Sequence, residues 1–237
     1  MVTASSIARA SRNSVLDLAA MSLREVNQLL HDTDNGDFLI RNPRGAHSLA
    51  CGLDGDMSVT IDGHVGYYCA GMNKLATVLI HGNAGVGVGE NMMSGFVHVA
   101  GDASQSAGAT GRGGVLRIDG NASSRCGISM KGIDIVVQGS VGHMSAFMAQ
   151  AGSLIVFGDA GDSLGDSIYE ARLFVRGRVK SLGADCIEKP MREEHKRALH
   201  ETLGRAGFNG EIDPSEFKRY GSARKLYNFH VDNAGAY

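Results

Sequence analysis

The sequence predicts an all-β protein: a single-stranded, parallel, right-handed β-helix of 19-residue coils, flanked by a short N-terminal helix and by C-terminal helices. Three observations predict it. Seven apolar runs (VTIDG, VLIHG, VHVAG, LRIDG, IVVQG, LIVFG, LFVRG) close on Gly63, Gly82, Gly101, Gly120, Gly139, Gly158 and Gly177, each 19 residues after the last. The columns also repeat, so equivalent residues stack: two before each Gly stand Ile61, Ile80, Val99, Ile118, Val137, Val156 and Val175, and two after it only Val or Ala. That period-2 alternation turns one branched face inward. Finally, the 14 residues between runs are too few and too glycine-rich for a crossover helix, because a βαβ unit takes roughly 30 residues.

Each element follows in order. Residues 1–44 read as an N-terminal arm and helix: the first 20 or so form an arm or short helix, Ser22 and Glu25 form a capping box, and an apolar stripe predicts a helix over 22–32. A short apolar piece, Phe38-Leu39-Ile40, precedes the solenoid, which is assigned to 45–185 with an imperfect first coil at 45–63. The closing glycines are expected at bends where space is scarce or φ is positive. The residues after them (His64, Asn83, Asp102, Asn121, Ser140, Asp159, Arg178) are expected to make turns with their own side chains. The next closing Gly is due at 196, which is Lys196, so the pattern has stopped there. Residues 186–237 read as a helical cap and tail. A helix after Pro190 is expected over the open end of the solenoid, and Asp213-Pro214-Ser215-Glu216 reads as a second helix start.

Composition limits the function classes. With 23 Lys+Arg against 25 Asp+Glu the net charge is -2, which gives no reason to expect nucleic acid or an acidic membrane as partner. No stretch approaches 18 uninterrupted apolar residues and the N-terminus lacks a secretory apolar core, so a cytoplasmic chain without a membrane span is expected. Cys69 and Cys126 share a column three coils apart, roughly 14 Å and beyond disulfide reach; with Cys51 and Cys186 they read as small buried hydrophobes, and no Cys pair has metal-ligand spacing.

The search for chemistry returns no catalytic, cofactor or metal residues. Gly82-x-x-Gly85-x-Gly87-x-Gly89 lacks the helix a dinucleotide motif needs. Asp159, Asp162 and Asp166 do not recur as a calcium roll would, and His47, His64, His81, His98 and His143 fall in several different columns. One column differs from the rest. Eleven residues past the closing Gly come Lys74, Met93, Arg112, Lys131, Gln150 and Tyr169, an outward ladder of long side chains with Met72, Met92, Met130, Met144 and Met148 around it. Basic stems with methionine between them suit a partner surface, and the aromatic residues near the end suit packing on the solenoid or on another subunit. The candidate partner interface is therefore Lys74, Arg112, Lys131, Tyr169, Phe217, Tyr220 and Tyr227.

The blocks HVGYYCAGM, GNAGVGVGENMMSG, GDASQSAGATGRGG, CGISMKG, GSVGHMSAFMAQAG and GDAGDSLGD resemble the Gly-x-x-Gly-x-x-x-Gly (GXGXG-type) β-helix domain at the C-terminus of the glutamate synthase large subunit. They are most similar to its stand-alone form, one subunit of N-methylglutamate synthase, and the likeness extends over about residues 22–237, including RVKSLGADCIEKPMREEH and DPSEFKRYGSARKLYNF. The resemblance implies two partners: a glutamine-amidotransferase-like subunit and a flavin subunit holding FMN and iron–sulfur clusters. It also implies no cofactor in this chain and the conversion of methylamine and L-glutamate to N-methyl-L-glutamate and ammonia. In that family the β-helix is a spacer without known catalytic residues. The alternatives it leaves are another glutamate synthase or amidotransferase/flavin complex, or a formylmethanofuran dehydrogenase or formyltransferase/hydrolase β-helix subunit.

Overall fold

The computed structural model describes residues 13–208, 210 and 212–224. Nine parallel strands stack in chain order: β1 (Asn13–Asp17), β2 (Asn35–Arg41), β3 (Asp56–Asp62), β4 (Thr77–Ile80), β5 (Phe96–Val99), β6 (Val115–Ile118), β7 (Lys131–Val137), β8 (Ala151–Val156) and β9 (Arg172–Val175). From β3 to β9 the register runs Ser58, Thr77, Phe96, Val115, Asp134, Ser153, Arg172, which is the 19-residue step. The chain is a β-solenoid of about seven turns. Val59, Val78, Val97, Leu116, Ile135, Leu154 and Leu173 are buried on the inner face. A second wall is the ladder of single bridges Val65, Ala84, Ala103, Ala122, Val141, Ala160, Val179, which is the small column two past each closing glycine.

The closing glycines have one dominant cause. Gly63 alone of the seven has φ in the left-handed region, +138°. At the others an added Cβ would meet the rung beneath; at Gly139 it would lie 2.6 Å from the Gly120 carbonyl oxygen. Contrary to the expectation from sequence that they make turns with their own side chains, the residues after the glycines reach along the rod. Asn83 Oδ1 accepts from Asp102 N (3.0 Å), Asp102 Oδ1 from Asn121 N (2.7 Å), Asn121 Oδ1 from Ser140 N (2.9 Å), Ser140 Oγ from Asp159 N (2.9 Å) and Asp159 Oδ1 from Arg178 N (2.7 Å). The next rung offers its amide within reach at every step, so the inter-rung bond replaces the local one.

The ends also depart from the sequence reading. The parallel ladder starts before residue 45: β1 pairs with β2 (Asn13 with Asp37) and β2 with β3 (Asn35 with Asp56), through coils longer than 19 residues. Helix α1 (Leu23–His31) has the expected capping box and buries Val26 and Leu30. Its Asn27 stands in for a missing rung, donating from Nδ2 to Ser48 O (2.8 Å) and accepting at Oδ1 from Ala50 N (2.9 Å).

At the other end helix α2 (Glu193–Arg205) does not cap the rod. It lies along the outside of the sheet, where Leu199, Leu203 and Ala206 pack with Val115, Val136, Ile155 and Phe174. The expected second helix is a single 3-10 turn, Pro214–Glu216: Asp213 does cap it (Ser215 N to Oδ1, 2.8 Å), but the chain then extends into β11 (Lys218–Ser222). β11 pairs antiparallel with the open edge of β9, and β10 (Cys186–Lys189) pairs with β11. Saturating the open edge of β9 outweighs a short helix.

Candidate docking face

The third wall of each coil has a backbone few sequences would advertise. Five, seven and nine residues past a closing glycine the chain is left-handed: φ is +60°, +53° and +57° at Tyr68, Ala70 and Met72, and +54°, +56° and +54° at Met144, Ala146 and Met148. Their amides bond alternately up and down the rod: Met144 N to Asp162 O (2.8 Å), Ala146 N to Cys126 O (2.7 Å), Met148 N to Asp166 O (2.8 Å). Every rung is thus tied to both neighbours, which holds non-glycine residues in a conformation costing roughly 1–2 kcal/mol each. The middle residue of each triplet stays small (Ala70 and Ala146 are buried), while Tyr68, Met72 and Met148 are exposed.

The predicted outward ladder sits at the edge of this wall. Arg112, Lys131, Gln150 and Tyr169 each donate a backbone N–H to the rung below, at 2.7–2.8 Å. All four side chains, with Lys74 and Met93, are exposed. The methionines divide: Met72, Met93 and Met148 point to solvent, whereas Met92 and Met130 fill the core. Tyr67, Tyr68 and Leu75 join the exposed set and were not foreseen. The readable signal was a bulky apolar residue in a column whose other members are mostly small or polar: Tyr67 shares its column with Gln105, Ser124 and Asp162, Tyr68 with Gly87, Ser106 and Ser163, and Leu75 with Ser94, Gly113 and Gly132. Among the described residues nine large hydrophobics are exposed, and seven of them (Tyr67, Tyr68, Met72, Leu75, Met93, Met148, Tyr169) belong to this wall and its edges. So concentrated a set marks an interaction surface rather than ordinary scatter.

Its charge is basic at the centre. Lys74 pairs with Asp54 at 3.2 Å, a solvated contact worth little. Arg112, Arg125 and Lys131 make no ion pair among the described residues. Two expected interface residues are used inside the chain instead. Phe217 is buried with its ring 5.3 Å from that of Phe157, and Tyr220 is buried in the main core at the end of the rod. Tyr220 lies on β11, where Arg219, Tyr220, Gly221 and Ser222 are all buried, and Phe217, just before that strand, packs in the cluster under α2. Tyr227 lies outside the described residues.

His47 Nδ1 accepts from Tyr67 N (2.8 Å) and His64 Nδ1 from Asn83 N (2.9 Å). His98 meets Asp119 at 2.8 Å, where burial would raise the carboxyl pKa but bonds from Arg117 and His98 outweigh it and hold Asp119 below the usual range. Burial pushes the Cys126 thiol up to about 12 and raises Cys69 as well, so both stay protonated and unreactive. Among the described residues no three His, Cys, Asp or Glu side chains are placed to hold a metal. A groove of about 500 Å³ between α2 and the starts of β7–β9 is lined by Asp134, Arg172, Glu201 and Arg205, of which Asp134 and Arg205 pair with each other. No helix among the described residues is long and apolar enough to cross a membrane.

Fold and surface together define a parallel β-solenoid that presents an apolar wall along its length, basic at the centre. The chain is 64% identical over 227 residues, 94% of its length and 99% of the relative's, to Protein GlxC of Rhizobium meliloti strain 1021, and it belongs to the family of that protein. No protein-family model and no solved structure matches it.

Proposed function

We propose that this chain is the structural subunit of a glutamate-synthase-like heteromeric complex, N-methylglutamate synthase being the form its glycine blocks resemble. In this reading it contributes no catalytic residue and holds an amidotransferase-like subunit and an FMN and iron–sulfur flavoprotein at fixed separation. The single observation that carries the reading is the exposed wall, whose apolar side chains spread over six rungs of a rigid rod, with Arg112, Arg125 and Lys131, cations without an ion pair among the described residues, on the two central ones. A rod tied at every rung fixes the distance between two bound subunits, which turns diffusion of an amine between their sites into a guided transfer. Co-expression of the tagged chain with amidotransferase-like and flavoprotein products of neighbouring genes tests it. The expected result is a stoichiometric complex carrying flavin absorption and forming N-methylglutamate from methylamine and glutamate. Recovery of the chain only as an isolated monomer overturns it.

A further inference from the structure

A second feature lies away from the docking wall, where α2 begins. Arg192 occupies the N-cap position, yet a guanidinium has no acceptor and no side chain there caps the first turn. The backbone N–H of Arg192 is instead donated to Nδ1 of the buried His195 (3.1 Å), which leaves that ring's proton on Nε2. Arg219 sits beneath this turn. It is 5% exposed, projects from β11 between β9 and β10, and one terminal nitrogen donates to Pro190 O (3.3 Å), just before the helix. Its Nε is fully buried and has no partner among the described residues.

The surroundings add charge of the same sign. Arg172 and Arg192 both act on Arg219 and on His195, and Arg192 and Arg219 both act on Lys189. The first turn of α2 carries two carboxylates, Glu194, 3.7 Å from Arg192, and Glu193, which pairs with Lys196 at 2.8 Å. With Lys196 counted, five cations (Arg172, Lys189, Arg192, Lys196, Arg219) and the positive end of a 13-residue helix therefore face two carboxylates, Glu193 and Glu194. A buried guanidinium nitrogen without an acceptor is costly, and like charges this close raise the cost. An anion seated between Arg192 and Arg219 removes both terms. A local excess of about three charges favours a dianion over a monoanion, and guanidinium forks with helix amides are the donors a tetrahedral phosphoryl group takes.

We propose that the N-terminus of α2, with Arg172, Arg192 and Arg219, is a binding site for a phosphate-type dianion. Neither the glutamate-synthase reading nor the docking wall is needed for this site. Titration of the full chain with inorganic phosphate by calorimetry, at ionic strength held constant with chloride, tests it. The expected result is saturable one-site binding that raises the thermal midpoint, weakened at least tenfold in Arg192→Ala and unchanged in Arg125→Ala, a cation on the distant wall. Arg192 is exposed, so its variant should keep the wild-type fold, checked by circular dichroism in chloride. Displacement of phosphate by phenyl phosphate assigns the site to the phosphoryl group of a small molecule, and no displacement assigns it to free phosphate. Equal midpoints in phosphate and chloride, or equal binding by wild type and Arg192→Ala, overturns the proposal.

Discussion

Gly139 and Gly204 look alike in the sequence, and the structure gives them opposite sensitivities. A Cβ at Gly139 overlaps the Asn121 side chain and the Gly120 carbonyl, and backbone cannot move aside without parting two rungs. Gly139→Ala is expected to cost about 1–3 kcal/mol in urea unfolding. Gly204, in α2 with nothing within 4 Å of its missing Cβ, should gain about 0.5–1 kcal/mol on Gly204→Ala. Asn27 carries two hydrogen bonds to the first coil, so Asn27→Ala should cost about 1–3 kcal/mol and speed amide exchange at Ala50 ahead of the central rungs. The glycine column was legible because every rung repeats the same steric need. The left-handed columns were not, since Tyr68, Arg125 and Met144 carry no common side-chain signal and are held there by the neighbouring rungs.

At the scale of elements, α2 was legible as a helix but its seat was not. Its apolar stripe says that a face is buried without saying on what. The missing half of the signal lay in β7–β9, where Val136, Ile155 and Phe174 make the outward column apolar too, the mark of a sheet covered on both faces. Leu199→Ala should therefore cost about 2–5 kcal/mol, because it empties contacts on both the helix and the sheet. The same docking predicts a pH dependence. Burial first, then the neighbouring Arg219, Arg172 and Arg192 charges, lower the His195 pKa, with Glu194 opposing them. The unfolded chain then binds the proton more readily, so this contribution is complete above about pH 6.5 and is lost as the pH falls below it. Urea midpoints at pH 7.5 and 5.5 should differ less in His195→Gln than in the wild type.

Over the whole molecule, the rod was legible wherever the 19-residue step holds and illegible where it fails. Longer coils link β1 to β2 and β2 to β3, and β11 hides behind a genuine but one-turn helix cap. The docking wall was half legible: its basic ladder follows from the period, whereas Tyr67, Tyr68 and Leu75 are bulky exceptions that only the geometry gathers on one side. From Lys74 to Tyr169 the ladder climbs five rungs, about 24 Å at the spacing of adjacent strands. A standard interface buries about 800 Å² per partner, a patch roughly 28 Å across, so the wall has the length of one such footprint. Rungs are secured by backbone, which separates binding from stability in a way few surfaces permit. Reversing Arg112 and Lys131 to Glu should leave the urea midpoint within about 0.5 kcal/mol of wild type, since neither side chain makes an ion pair among the described residues. The same double variant should weaken assembly with the proposed partner seated on this wall at least tenfold, because charges that steer an acidic surface now repel it. Sedimentation of the purified subunits reads both outcomes, and full assembly by the reversed chain would move the interface to another wall of the rod.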